Sequence, residues 1–266
     1  IKVFEQGKKI DPYSKNIINL SLGEPSSNLP KEVLANISNK INNTKMGYTE
    51  SIGFLKLRES ISLHYKTKHN LTLRQSNIAV TAGASASILL VLMTLFNEGD
   101  HVAIALPGYP CYRNIIKILS LKPYYINTRY KNGFKLEPED IINIPSNVKG
   151  IIIESPSNPT GSIIENNKLR HIIEICNKKK LKVIADEIYH GISYNSEEPD
   201  SVLNYNKNCV VINSFSKYFL MTGWRLGWII ANNQIIDKIS KLAMNLYLSP
   251  ASVAQYTALR VFKHYS

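Results

Sequence analysis

Short apolar runs alternate with longer segments of helical periodicity along most of this chain. The first predicted strand, Ile78–Thr81, is followed by a predicted helix from Ala84 to Phe96. The later predicted strands are His101–Leu106, Pro123–Asn127, Gly150–Ile153, Lys182–Ala185, Cys209–Asn213 and Leu226–Ile230. Further helices are predicted at about Tyr109–Leu119 and Glu165–Lys179. Apolar strands separated by helices predict an α/β fold, in which a mostly parallel central sheet is covered by helices on both faces.

Composition is compatible with such a globular fold. Of the 266 residues, 44% are hydrophobic and 20% are charged, which argues against disorder. No apolar run reaches the ~20 residues of a membrane helix, so we expect no membrane association. The net charge of +12 comes from scattered lysines, with no basic run longer than Lys178–Lys180. We interpret it as a solvated surface rather than a nucleic-acid interface, although a functional basic face remains the alternative.

The three cysteines, Cys111, Cys176 and Cys209, show no CxxC spacing. They therefore predict neither a disulfide framework nor a metal site, and free thiols in the cytoplasm are the simpler interpretation.

Ligands of a parallel α/β sheet bind at the carboxyl ends of its strands, so the residues after each strand are the candidates for chemistry. Small residues follow the first strand, at Thr81–Ser87, and lead directly into a helix. Such a turn can bind an anion at the helix N-terminus, but it could equally be a plain tight turn. It lacks the GxGxxG pattern, which disfavours a NAD-binding dehydrogenase domain.

The next strand ends supply an aromatic ring, an amide and an acid. Tyr109 could cover a planar ring or could be a core residue of a Pro-rich turn. Asn158 precedes Pro159 and is held extended, so that its amide can project from the strand end, although Asn-Pro is also ordinary turn chemistry. Asp186 ends an apolar strand, where an acid is costly unless a cation meets it; a helix N-cap is the alternative.

The last predicted site follows Asn213. Ser214 and Ser216 share one face of an extended segment, and Lys217 and Arg225 come next. The two hydroxyls and the guanidinium can bind a phosphate, and the amine can bind a carbonyl carbon. Lys217 taken alone would more often be a surface residue. One ligand that uses all five strand ends is a planar, phosphorylated pyridine aldehyde.

Three motifs carry a resemblance to a known family: SNPTG at Ser157–Gly161, ADEIY at Ala185–Tyr189, and SFSK at Ser214–Lys217 followed by GWRLGW. In this order they resemble the class I/II, fold-type I, pyridoxal-phosphate-dependent aminotransferases. The resemblance runs from about Ile18 to the end of the chain and includes LSLGEP at Leu20–Pro25 and GYTESIG at Gly47–Gly53.

The resemblance implies a role for each site residue. Lys217 would hold pyridoxal 5'-phosphate as a Schiff base, Asp186 would pair with the pyridine nitrogen, and Tyr189 and Asn158 would hydrogen-bond the phenolic oxygen. Tyr109 would stack on the ring, and Gly23 would lie beside the substrate carboxylate, as would Asn158. The residues expected to hold the phosphate are Ala84, Ser85, Ser214, Ser216 and Arg225. Tyr48 would reach the phosphate of a neighbouring subunit, which implies a homodimer.

The resemblance also implies the domain organisation. Residues 1–30 would form an N-terminal arm or part of a small domain, and residues 31–266 an incomplete large cofactor-binding domain. The C-terminal small domain of the family, with the arginine that clamps the substrate carboxylate, has no counterpart here. We therefore expect either a fragment or a protein that has lost part of its site.

The expected activity is transfer of an amino group between an L-amino acid and a 2-oxo acid, by a ping-pong mechanism through pyridoxamine phosphate. Because the same cofactor cradle serves other fold-type I enzymes, C–S lyase and decarboxylase chemistry remain alternatives. A non-catalytic, cofactor-sensing regulatory module is a further alternative, motivated by the charge of +12. Only about thirty residues precede the predicted domain, and they contain no helix-turn-helix pattern.

Overall fold

The computed structural model describes residues 5–7, 9, 23–194 and 198–265. Seven strands form one sheet in the order β1-β7-β6-β5-β4-β2-β3. The strands are β1 Ile78–Thr81, β2 His101–Leu106, β3 Lys122–Asn127, β4 Val148–Glu154, β5 Lys182–Asp186, β6 Val210–Ser214 and β7 Gly227–Ile230. Six strands run parallel, while β7 is antiparallel to both of its neighbours, β1 and β6. The prediction of a mostly parallel α/β sheet is therefore confirmed.

Eight α-helices flank this sheet among the residues that the structure describes from Gly23 onward. They are α1 Lys31–Asn43, α2 Leu55–His69, α3 Ala84–Leu95, α4 Pro110–Ile118, α5 Pro138–Ile142, α6 Asn166–Lys178, α7 Asn233–Tyr247 and α8 Ser252–Tyr265. Each predicted helix agrees with an observed one to within a residue at either end. In the described part of the chain, no helix combines the length and the apolar character needed to cross a membrane.

The apolar side chains form two cores, one on each face of the sheet. In β4, Ile151 and Ile153 belong to the core under α1, α2, α5, α6 and α8, whereas Ile152 belongs to the core under α3, α4 and α7. Successive side chains of a strand point to opposite faces, and a sheet covered on both sides therefore needs continuous apolar runs. The division of the chain at residue 30 stays a prediction.

Candidate active site

The carboxyl ends of β1 and β6 lie beside the start of β7, at one end of the strands. Gly227, the first residue of β7, is in register with Thr81 on one side and with Ser214 on the other. A Cβ atom on Gly227 would lie 2.9 Å from the carbonyl carbon of Gly83 and 3.0 Å from the amide nitrogen of Ala84. The antiparallel strand therefore brings the N-terminus of α3 close to the hydroxyl-bearing end of β6.

Arg225 lies over the N-terminus of α3. Gly83, the N-cap of this helix, has a φ of +88°, and a Cβ atom there would be 2.9 Å from Nη2 of Arg225. Arg225 itself adopts the left-handed conformation, with a φ of 51°, and its Nη1 donates a 2.8 Å hydrogen bond to the carbonyl of Thr222. A non-glycine residue in this region is strained, and such strain concentrates at functional sites. The guanidinium and the helix N-terminus together have the charge and the donors that an anion would need.

Two serine hydroxyls stand beside this site. The Oγ atoms of Ser214 and Ser216 are 2.9 Å apart, and the Ser214 hydroxyl is also 2.9 Å from the carbonyl oxygen of Leu226. The amide of Ser216 donates to Oγ of Ser214 at 3.0 Å. Both serines are buried, whereas Ser85, on the first turn of α3, is exposed. The prediction that Ser214 and Ser216 share a face of the chain is compatible with this geometry.

Asp186 ends β5 as a buried carboxylate without an ion pair among the described residues. Only 3% of its surface is exposed. The Tyr112 hydroxyl donates a 2.8 Å hydrogen bond to Oδ2, and the amide of Ile188 donates one of 3.2 Å to Oδ1. Burial raises the pKa of Asp186 to about 6, and these two hydrogen bonds oppose that rise because they favour the charged form.

The adjacent acid, Glu187, serves a different purpose. Its Oε1 accepts hydrogen bonds from the Ser201 hydroxyl at 2.9 Å and from the Val202 amide at 3.0 Å. Burial raises the pKa of this carboxyl to about 8. Glu187 thus anchors the segment that precedes β6, and Asp186 is the member of the pair that faces the Tyr112 hydroxyl.

Lys217 follows β6 and is half-buried. Its Nζ donates a 2.5 Å hydrogen bond to the carbonyl of Gly23, and lies 5.9 Å from the ring centroid of Tyr189. Burial lowers the pKa of this amine, the carboxylate of Glu24 opposes that shift, and the Arg225 guanidinium adds to it. Residues 20–22 of the LSLGEP motif lie outside the described residues, but Gly23 is beside Lys217.

Asn158 and Tyr189 come together from two different strand ends. Nδ2 of Asn158 is 3.4 Å from the Tyr189 hydroxyl. Burial raises the pKa of Tyr189 to about 12, so this hydroxyl remains a hydrogen-bond donor near neutral pH. The two side chains therefore present an amide and a phenol on the side of the site where Lys217 lies.

Tyr109 is half-buried and packs edge-on against Tyr112, with 5.4 Å between the ring centroids and an interplanar angle of 86°. Tyr48 is 85% exposed. The segment that carries it is anchored by the α7–α8 connection and by α8: the Thr49 amide donates to the Ser249 hydroxyl at 3.2 Å, and Nε2 of Gln255 donates to Oγ1 of Thr49 at 3.0 Å.

Two residues of the site had no role in the sequence interpretation. Tyr112 lies on the first turn of α4, three positions after Tyr109, which is the N-cap of this helix. Glu154 ends β4 in direct register with Asp186. The first could have been found from helical spacing, whereas the second required knowing that β4 and β5 are neighbours.

Known proteins are similar to this chain in sequence and in fold. The family profile "Aminotransferase class I and II" matches residues 15–265. A valine–pyruvate aminotransferase of Mycobacterium tuberculosis is 34% identical over 93% of this chain and 64% of its own length. A (5-formylfuran-3-yl)methyl phosphate transaminase of Methanocaldococcus jannaschii is 37% identical over 96% of this chain and 67% of its own length. The crystal structure of an aminotransferase from Mycobacterium tuberculosis superposes with a TM-score of 0.92 at 31% identity, and covers 98% of this chain and 68% of that one.

The chain therefore spans about two thirds of the length of these relatives. The profile nevertheless matches almost the whole of it, and a relative more than 30% identical aligns along 96% of it. The edge that holds Asp186, Lys217 and Arg225 lies within the matched region, and the chain belongs to the class I and II aminotransferase family.

Proposed function

We propose that this chain is the cofactor-binding part of a pyridoxal-phosphate-dependent aminotransferase. It would move an amino group between an L-amino acid and a 2-oxo acid by a ping-pong mechanism. The observation that carries the proposal is the shared position of Asp186, Lys217 and Arg225 at one end of the sheet: Asp186 ends β5, and Lys217 and Arg225 lie between β6 and β7. A buried acid, a half-buried amine and a guanidinium at a helix N-terminus match three separate groups of one ligand.

The carboxylate of Asp186 fits a cationic ring nitrogen. Its hydrogen-bond donors, the Tyr112 hydroxyl and the Ile188 amide, are both neutral, and it has no ion pair among the described residues. An opposite charge within ~4–6 Å favours the ionised form of a carboxyl by about 1–3 pKa units. A pyridinium beside Asp186 would therefore lower the raised pKa of this group, and Asp186 would hold the ring nitrogen in its protonated form.

The anion site at α3 fits a phosphate. Arg225, the amide groups of Ala84 and Ser85, and the hydroxyls of Ser214 and Ser216 supply donors of three kinds. A guanidinium can bind two phosphate oxygens at once, and the helix N-terminus favours a negative charge. The close approach of Gly83 to Arg225 supports this assignment, because a side chain there would occupy the space of the guanidinium.

When bound, pyridoxal phosphate would supply an electron sink for a carbanion and a carrier for the amino group. Lys217 would bind it covalently through Nζ. Released from that bond, the same nitrogen would take a proton from the substrate and return it at a neighbouring atom. The lowered pKa of Lys217 supports this role, because an amine with a lowered pKa is more often neutral and able to accept a proton.

The remaining side chains would orient the ring. Tyr189 and Asn158 would donate hydrogen bonds to the phenolic oxygen, and Tyr109 would cover one face of the ring. Gly23 and Asn158 would lie beside the substrate carboxylate. These assignments rest on the family resemblance and on the proximity of Asn158, Tyr189 and Lys217.

The same proposal includes a homodimer with shared sites, in the cytoplasm. Tyr48 is 85% exposed on a segment anchored by Gln255, which suits a residue that reaches into a neighbouring subunit. All three cysteines are free, in keeping with a reducing compartment.

Product analysis tests the proposed activity. The protein is mixed with pyridoxal phosphate and one amino acid at a time, with no added 2-oxo acid. An aminotransferase yields one equivalent of 2-oxo acid and of pyridoxamine phosphate, without ammonia. Release of ammonia or of carbon dioxide would instead indicate a lyase or a decarboxylase, and binding without any product would indicate a sensing module.

A further inference from the structure

Two segments that carry site residues leave the sheet next to each other. The pairing of β4 with β5 ends with Glu154 opposite Asp186. Beyond that pair, the chain after β4 leads to Asn158 and the chain after β5 leads to Tyr189. Because the strand pairing of these two segments stops there, other contacts must set the distance between the Asn158 amide and the Tyr189 hydroxyl.

Two hydrogen bonds join these segments among the residues that the structure describes. Nε2 of His190 lies 3.1 Å from the carbonyl oxygen of Ser155. Nδ2 of Asn158 lies 3.4 Å from the Tyr189 hydroxyl, which is long for a hydrogen bond. The His190 contact is therefore the stronger of the two, and the Asn158 and Tyr189 side chains can both donate to a ligand atom instead.

The direction of the His190 hydrogen bond follows from the chemistry of its partner. A carbonyl oxygen can only accept, so Nε2 carries a hydrogen and donates it to Ser155. The His190 side chain is only 7% exposed, and Ser155 is buried. Loss of this donor would therefore leave a buried carbonyl without it, in a place where such a loss is costly.

The other ring nitrogen of His190 makes a looser contact. Nδ1 lies 3.8 Å from Oε2 of Glu187, and neither atom has a hydrogen-bond partner among the described residues. The other ionisable side chains near this ring are those of His69, at 5.5 Å between ring centroids, and of His64. Burial lowers the pKa of His190 to about 3, and His69 adds to this effect. A neutral ring has one N–H hydrogen, in keeping with a donor at Nε2 alone.

Ser155 is a suitable anchor because it lies at the base of the loop that carries Asn158. Its hydroxyl oxygen accepts a 3.0 Å hydrogen bond from the amide of Ile164, at the other end of this loop. Within the loop, the Ser157 amide donates to the carbonyl of Ser162 at 3.0 Å. The loop is thus stabilised by its own hydrogen bonds, so a contact at Ser155 can orient it as a unit.

We propose that His190 is a positioning residue. Its Nε2 hydrogen, donated to the Ser155 carbonyl, sets the loop of Asn158 against Tyr189, so that both side chains can hydrogen-bond one ligand oxygen. The inference rests on the proposed function, in which that oxygen is the phenolic oxygen of pyridoxal phosphate. In this role His190 acts through the two side chains and not on the ligand.

Substitutions of His190 separate its hydrogen bond from its size. Phenylalanine keeps a planar ring without a donor, whereas the amide nitrogen of glutamine can take the place of Nε2. Tyr189→Phe removes one donor to the phenolic oxygen directly. His171→Phe, at an exposed position of α6, is the matched control.

The pH midpoint of the cofactor absorbance reports on the phenolic oxygen. Donors to this oxygen stabilise its negative charge and weaken its attraction for the proton on the Lys217 nitrogen, so loss of a donor should raise the midpoint. We expect Tyr189→Phe to raise it by about one pH unit and His190→Phe by about half a unit or more. His190→Gln and His171→Phe should match the native protein.

The variant that combines His190→Phe with Tyr189→Phe tests whether His190 acts through Tyr189. Its shift should be smaller than the sum of the two single shifts, because both changes affect one contact. Circular dichroism establishes that each variant is folded. A native midpoint in a folded His190→Phe protein, additive shifts, or a shift that glutamine does not reverse would overturn the proposal.

Measurements on the cofactor-free protein distinguish this proposal from the proposed function. Long-range proton–nitrogen NMR should show a neutral His190 ring with its hydrogen on Nε2, and this signal should be missing from His190→Gln. Hydrogen–deuterium exchange of residues 155–164 should be about fivefold faster in His190→Phe than in the native protein, His190→Gln or His171→Phe. A hydrogen on Nδ1 alone, or native exchange in His190→Phe, would overturn the proposal. If pyridoxal phosphate does not bind, the proposed function fails, and these two measurements still decide whether His190 holds the loop.

Discussion

The hydroxyl of Tyr112 donates a 2.8 Å hydrogen bond to Oδ2 of Asp186, across 74 residues of sequence. Both groups are buried, and Asp186 has no ion pair in the part of the chain that the structure describes. We predict that Tyr112→Phe weakens pyridoxal-phosphate binding at least tenfold, because a hydrogen bond to a charged group contributes about 1.5–3 kcal/mol. Absorbance titration measures the affinity, and Tyr130→Phe, at an 84% exposed tyrosine, is the control. Equal affinities in the two variants would contradict the prediction.

Lys217 should be the residue that holds the cofactor. Its amine is half-buried and points towards Gly23, and burial lowers its pKa. Borohydride reduction of the loaded protein, followed by peptide mapping, should place the pyridoxyl group on Lys217, and Lys217→Ala should lose it. Lys180→Ala should retain the label. A pyridoxyl group on another lysine of the native protein would remove Lys217 from the site.

Asp186 should make the cofactor-free protein less stable as the pH rises. Its folded pKa of about 6 exceeds its ordinary value of 3.8, so the folded state binds the proton more tightly. Its contribution to the free energy of unfolding is therefore complete below about pH 4 and is lost as the pH rises through 6. The stability of Asp186→Asn relative to the native protein should increase between pH 4 and pH 8, by on the order of 3 kcal/mol.

Chemical unfolding at the two pH values measures this difference. Asp237→Asn, at an exposed position of α7, should follow the native protein at both. A constant difference between Asp186→Asn and the native protein would show that Asp186 has an ordinary pKa when folded.

Gly83 should matter for phosphate binding beyond its backbone conformation. Alanine at this position would bring a Cβ atom to 2.9 Å from Nη2 of Arg225 and would displace the guanidinium. Gly99→Ala is a matched control, because its φ of +82° is close to the +88° of Gly83 while nothing lies within 4 Å of its Cβ position. Both variants should lose about 1–2 kcal/mol of stability. Only Gly83→Ala should lose the preference for pyridoxal phosphate over unphosphorylated pyridoxal.

Shared sites should be detectable by complementation. Tyr48→Phe and Lys217→Ala place lesions in residues that the proposed dimer would draw from different subunits. In a hybrid dimer one site would carry both lesions and the other neither, so mixing two impaired proteins should restore up to half of the native activity per hybrid. Verified hybrids without recovery would argue against sharing, provided that Tyr48→Phe alone is strongly impaired.

The sequence was sufficient to predict the strands and the end of the sheet at which the candidate site lies. Apolar runs such as Gly150–Ile153 are short and rich in β-branched residues, which favours strands buried on both faces. The direction of β7 could not be read in the same way, because an apolar run has no polarity. The partnership of Glu154 with Asp186 was also out of reach, since it depends on which strands are neighbours. The role of Tyr112 could not be predicted either, because its hydrogen-bond acceptor, Asp186, lies 74 residues later in the sequence.

The antiparallel pairing of β7 with β1 has a consequence for the timing of synthesis. Among the strands of the described residues, β1 lies at the border of the sheet and pairs with β7 alone, about 150 residues later in the chain. At roughly 5–20 residues per second, a ribosome needs on the order of 8 to 30 seconds to cover that distance. During this interval Ile78–Thr81 has no partner strand, so the nascent chain exposes an apolar edge that a chaperone could bind. The candidate anion site between α3 and β6 can therefore form only after the segment that carries Lys217 has been made.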